Sequence, residues 1–167
     1  MKPRLVFLHG LESGPNGSKY QALRNLDREL ISPDCSGVSD IGERLAIIEE
    51  ALAGVKKMVI VGSSFGGLAA VLFAQKPTNF SRITGCLLCA PALPRIPRDE
   101  IASIPFETII LHGTRDEVVP FQSSKDFSEL HGIRLVEVDD DHRLSASSDI
   151  MVTLAAGLLR GSAGDAG

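Results

Sequence analysis

Residues 58–70, MVIVGSSFGGLAA, set two serines and three glycines between two apolar runs. Gly62, Ser64 and Gly66 form a G-x-S-x-G that follows a β-branched run and precedes a helical pattern starting near Phe65. A sharp strand-to-helix turn of this kind holds its middle serine at the carboxyl edge of a sheet, and the flanking glycines leave room for neighbouring backbone. Ser64, rather than Ser63, is therefore the candidate nucleophile. The helix that begins immediately afterwards aims free N–H groups and a positive dipole end at the same point, so an oxyanion formed there is stabilised.

A serine hydroxyl is a weak nucleophile at neutral pH; it needs a general base, and the base needs an orienting acid. Asp116 in LHGTRDEVVP follows the apolar run ETIIL, and His142 in DDDHRL follows IRLVEV. Both then lie beyond the carboxyl ends of strands, the edge at which open α/β sheets place ligands. Asp116 also suits a turn closed with Thr114, and Glu117 is a rival acid. His131, in the helix-end segment ELHGI, and His112, at a strand end, read as structural residues. An oxyanion needs a second donor besides the N–H of Phe65. The turn HGLESG (9–14), opened by His9 and Gly10, supplies one by position in the N–H of Leu11.

The elements that must position these residues alternate between short apolar runs and longer segments of helical period, the pattern of βαβ units around a parallel sheet. Strands are expected at 4–9, 30–34 (a weak LISPD), 57–62, 83–90, 107–113 and 133–139. Most are continuously apolar, which implies cover on both faces. Ile41, Leu45, Ile48 and Leu52 mark one stripe of an amphipathic helix capped by Ser39 or Asp40. Residues 66–75 are apolar all round and read as a buried helix that Pro77 ends, and a last helix is expected from about Ser148 to Leu159. The fold class is thus α/β: an open, mostly parallel sheet of about six strands with helices on both faces. Residues 1–160 read as a single domain, and 161–167 as a flexible tail.

Bulk properties narrow the partners. The chain has 167 residues, a net charge of −4 and no Lys/Arg block, so the electrostatic footprint of a nucleic-acid or anionic-membrane binder is missing. Leu5 to Leu8 is too short for a signal-peptide core, and no run approaches the ~20 apolar residues of a spanning helix. The expectation is a cytoplasmic protein. Cys86 and Cys89 sit three apart on an apolar strand and so point to opposite faces, which makes them inert core thiols rather than a redox pair. From Pro91 to Pro105 the sequence holds too little for an inserted lid. Arg95, Arg98 and Arg143 are candidates for steering an anionic substrate, or plain surface.

Taken in order, FLHGLESGPNGSK, VGSSFGG, HGTRDEVVP and DDDHRL resemble the small lidless α/β-hydrolases related to the YqiA-type bacterial esterases, over about Leu5 to Leu158. The resemblance implies a triad of Ser64, Asp116 and His142, an oxyanion hole at Leu11 and Phe65, and hydrolysis of a small carboxylic ester or thioester without metal or organic cofactor. One departure is the run Asp139, Asp140, Asp141 before His142, where such proteins are usually glycine-rich. Its charge would favour an imidazolium at position 142 and a higher pH optimum, or the three carboxylates are simply solvated. The alternatives are a silent binding or scaffolding protein on the same fold, an acyltransferase using the same triad, and a metallohydrolase built on the DDDH cluster with His112. The last is disfavoured because adjacent residues at a strand end point in different directions.

Overall fold

The computed structural model describes residues 1–96 and 101–161. Its framework is one parallel sheet: β1 (Arg4–Leu8), β2 (Met58–Ser63), β3 (Ile83–Cys89), β4 (Glu107–Gly113) and β5 (Arg134–Val138), in that spatial order. Each strand pairs with its neighbour in sequence. Parallel pairing requires a crossover between strands, and among the described residues three of the four crossovers carry α-helices. These are α1 (Ser18–Arg24), α2 (Ile41–Ala51), α3 (Phe65–Ala74), α4 (Pro77–Phe80) and α5 (Phe121–His131), with α6 (Ser148–Gly161) after β5.

The expected sixth strand is reduced to a single bridge. Ile31 pairs with Val6, exchanging hydrogen bonds with Leu5 and Phe7, and the pairing stops there. Pro33 explains the stop, since proline has no N–H to continue a ladder. Pro77 does not simply end a helix: α3 stops at Ala74, and Pro77 opens α4 in the first-turn position that proline favours. The expected tail is described only at Gly161, which belongs to α6; residues 162–167 lie outside the described residues.

Two cores flank the sheet because alternate strand residues face opposite ways. Val6, Leu8, Ile60, Cys86, Leu88 and Ile110 face α2 and α3, whereas Leu5, Phe7, Val59, Val61, Leu87 and Leu111 face α6. Cys86 and Cys89 fall in opposite cores, both free and fully buried. Burial pushes each thiol up to about 12, which leaves no thiolate for redox chemistry at neutral pH. Asp40 caps α2 by accepting the Glu43 N–H at 2.9 Å. On that helix the buried line runs through Arg44, Ile48 and Leu52, with Ile41 and Leu45 half-buried beside it. No helix among the described residues is long and apolar enough to cross a membrane.

Candidate active site

β2 ends at Ser63 and α3 begins at Phe65, which leaves Ser64 alone in the turn with φ 53° and ψ −114°. Its backbone is tied on every side. The N–H donates to Cys89 O at 2.9 Å, and the carbonyl accepts from Gly67 N at 2.9 Å, Leu68 N at 3.2 Å and Ala92 N at 3.0 Å. The flanking glycines are steric requirements: a Cβ at position 66 would stand 2.0 Å from Leu8 O, and one at 62 would stand 2.6 Å from Gly66 O. Backbone cannot yield to such contacts, so the turn depends on both residues lacking a side chain.

His142 and Asp116 meet the serine from the loops after β5 and β4. His142 Nε2 lies 3.0 Å from Ser64 Oγ, and Nδ1 lies 2.7 Å from Asp116 Oδ2. An ionised carboxylate only accepts, so the Nδ1–H donates to Asp116 and the Nε2 lone pair of the neutral ring receives the Ser64 hydroxyl. Asp116 is the member of the acid pair that arrives; its side chain is fully buried, whereas neighbouring Glu117 is exposed. Burial alone would raise the Asp116 carboxyl. The hydrogen bond from His142 and those from the N–H groups of Val119 and Val118, both 2.8 Å, outweigh it and hold the group below the usual carboxylate range.

A second histidine shares that carboxylate. His112 is completely buried; its Nε2 is 2.9 Å from Asp116 Oδ2 and 3.1 Å from Val119 O, and its Nδ1 is 2.7 Å from Ser124 Oγ. Both neighbours of Nε2 are acceptors, so that nitrogen carries the proton and Nδ1 accepts from Ser124. Burial lowers the His112 pKa despite the adjacent carboxylate, which keeps the ring neutral. His131 stays apart, at the end of α5 against Phe127.

The turn after β1 approaches from the other side. The space beside Gly10 Cα is bounded by Ser63 O and the Ser64 Cβ, each 3.5 Å from where a Gly10 side chain would begin. His9 is buried; its Nε2 accepts the Cys35 N–H at 3.0 Å, which assigns the ring proton to Nδ1 and a 2.8 Å donation to Gly10 O. Burial lowers its pKa, more than the Gly10 carbonyl raises it. The Leu11 N–H has no acceptor among the described residues, and the N–H of Phe65, first in α3, has no intrahelical one. Free backbone N–H groups of this kind are what a tetrahedral oxyanion requires.

The three aspartates before His142 have separate tasks. Asp139 pairs with Arg115 at 2.6 Å, Asp140 is buried and accepts from Ser147 Oγ at 2.8 Å, and Asp141 accepts the Arg143 N–H at 2.9 Å. Among the described residues no group of three His, Cys, Asp or Glu side chains is placed to hold a metal ion. Gly113 is pinned here too, since a Cβ would stand 2.3 Å from Asp140 O. Arg95 is exposed and stacks on Phe65 with 5.4 Å to the ring centroid; Arg143 is exposed, and Arg98 lies outside the described residues. Sequence reasoning passed over Arg44, which is 1% exposed beneath the β1 turn. The signal was its place four residues before Ile48 and eight before Leu52, on the line that faces the core.

No family model matches the chain, and no curated protein does. Solved structures do match in shape. A Xanthomonas campestris pv. campestris protein assigned to the alpha/beta superfamily of hydrolases aligns with a TM-score of 0.81 at 24% identity, covering 96% of this chain and 98% of that one. Est1E from Butyrivibrio proteoclasticus gives 0.79 at 17% identity over 97% and 88%. Mouse alpha/beta hydrolase domain-containing protein 10 gives 0.76 at 20% over 96% and 91%. Near-complete superposition at such low identity speaks to architecture, and the architecture is the α/β-hydrolase fold.

Proposed function

We propose that the chain is a serine hydrolase of small carboxylic esters or thioesters, nearest in kind to the small lidless YqiA-type esterases. The observation that carries this reading is the continuous hydrogen-bonded chain from Ser64 Oγ through His142 to Asp116 at the carboxyl ends of the sheet. In the proposed reaction His142 Nε2 takes the Ser64 proton as Oγ bonds to the acyl carbon, and the N–H groups of Leu11 and Phe65 hold the oxyanion. Asp116 keeps the imidazole in the Nδ1–H tautomer. The bond to the leaving alcohol or thiol then breaks, with the proton on His142 passing to the leaving atom. Water, deprotonated by the same histidine, cleaves the acyl-enzyme and regenerates Ser64. These steps need no metal or organic cofactor.

The small connection after β3 favours short or exposed acyl groups. Est1E is seen with ferulic acid bound, which adds hydroxycinnamoyl esters to the acyl groups worth screening. A cytoplasmic setting is part of the proposal and accords with three free, buried cysteines. The deciding experiment is labelling with a fluorophosphonate probe, with the adduct located by peptide mass spectrometry. An adduct on Ser64 that is absent from folded Ser64→Ala is expected; a folded parent that takes no label would move the assignment to a binding protein on this fold.

A further inference from the structure

Arg44 is the largest fully buried side chain among the described residues. It comes from the first turn of α2, and among the described residues no carboxylate pairs with it. A guanidinium does not lose its proton in proteins, so a positive charge is sequestered here, at a cost of several kcal/mol unless the surroundings answer it. What answers it is backbone. Nε donates to Val38 O at 2.7 Å, Nη1 to His9 O at 2.8 Å, and Nη2 to Gly10 O at 3.1 Å and Cys35 O at 3.3 Å. Its guanidinium carbon lies over the Phe65 ring, 5.0 Å from the centroid.

One of these contacts falls on the peptide whose N–H belongs to Leu11, and His9 adds another there. The Gly10 carbonyl takes hydrogen bonds from Arg44 Nη2 and His9 Nδ1 together. The peptide is trans, so fixing its carbonyl against the guanidinium turns its N–H to the opposite side. The ring contact of Arg44 reaches Phe65, whose own N–H is the other donor of the proposed site. One buried cation thus touches both halves of it.

We infer that Arg44 is a positioning residue for the oxyanion, orienting the Gly10–Leu11 peptide and setting an uncompensated positive charge behind the two donors. The inference rests on the hydrolase reading. Removing a single oxyanion donor lowers a rate by ~10²–10³, which bounds what disorienting one can do. An ordinary structural arginine would lower the melting temperature and leave the turnover of the folded protein alone.

The test uses Arg44→Lys, which keeps charge and reach but not the fork, and Arg44→Met, which keeps bulk only. Both are compared with the parent by thermal melting, by kcat and KM on p-nitrophenyl acetate, and by the ¹H–¹⁵N resonances of Leu11 and Phe65. The expected result is a kcat lower by about 10-fold in the lysine variant and by about 10²-fold in the methionine variant, KM within twofold, and a displaced Leu11 resonance. A folded lysine variant with parental kcat overturns the inference, and it carries the test alone if the methionine variant does not fold. If the parent itself shows no turnover, the hydrolase reading has failed separately; the amide signals then decide, and a Leu11 resonance unmoved by either substitution overturns the positioning role.

Discussion

The two flanks of Ser64 are built from different materials. In the proposed reading, the chemistry on the β1 side lies in backbone: the peptide of Gly10 and Leu11 and the first N–H of α3, with the buried Arg44 guanidinium behind them. On the β4 and β5 side it lies in side chains strung on one buried carboxylate, Asp116, to which both His142 and His112 donate. One flank is positive and the other negative. The serine between them sits where an oxyanion on one side and an imidazolium on the other would both be met by opposite charge already in place. Substitution reaches these flanks unequally: a side chain can be deleted, whereas a backbone donor can only be disturbed through whatever holds it.

That asymmetry is broken or sharpened most by Asp116→Asn. The amide is isosteric but offers His142 the wrong hydrogen-bonding partner, so kcat should fall about 10⁴-fold on an activated ester. A loss under tenfold, no worse than that expected of Arg44→Lys, would erase the distinction between the flanks. A subtler comparison uses pH, because each flank holds one buried neutral histidine whose pKa is lowered, His9 or His112. In the window between the lowered value and about 6.5 the unfolded chain binds more protons than the folded one. Stability therefore rises with pH there and is lost as pH falls below about 6.5, by at most ~1.4 kcal/mol per pH unit for each ring. Asp116, held low in the fold, adds its loss only below about 3.9. Melting curves from pH 7.5 to 5 should show a shallower decline in His9→Gln and in His112→Gln than in the parent. A variant that keeps the full slope would mean its histidine is not the neutral group described. The smallest effect belongs to Arg95→Ala. This exposed arginine shares the Phe65 ring with Arg44, yet exposed cation–π contacts contribute only about 0.5–1 kcal/mol. Its kcat should stay within twofold of the parent, and a larger drop would assign Arg95 a part in substrate binding.

Much of this organisation was legible in the sequence wherever one physical demand dominates a stretch. β2, β3 and β4 are buried on both faces, and continuous apolar runs say so. The edge position of Ser64 and Asp116 was legible because each follows such a run, and that of His142 because it follows the half-buried β5. Elements answering to two demands were harder to read. The segment 30–34 carries strand-forming residues but also Pro33, and only Ile31 keeps its pairing. α1 has one fully buried side chain, Leu23, and little apolar period to detect. His112 reads as a strand end until folding brings Asp116 back onto it across one turn. Arg44 is the plainest case. Charge by itself suggests solvent, and only the tertiary arrangement of four carbonyls and an aromatic ring makes a buried guanidinium tolerable.

The backbone of Ser64 carries a consequence for how such a chain changes over generations. A non-glycine residue at φ 53° and ψ −114° sits in a sparsely populated conformation, at a cost of about 1–3 kcal/mol, that glycine would largely avoid. In the proposed reading, mutational drift at this position is therefore biased toward a more stable and inert molecule. The hydroxyl is the one attribute of serine that the turn itself does not need, so selection for folding alone would never keep it there.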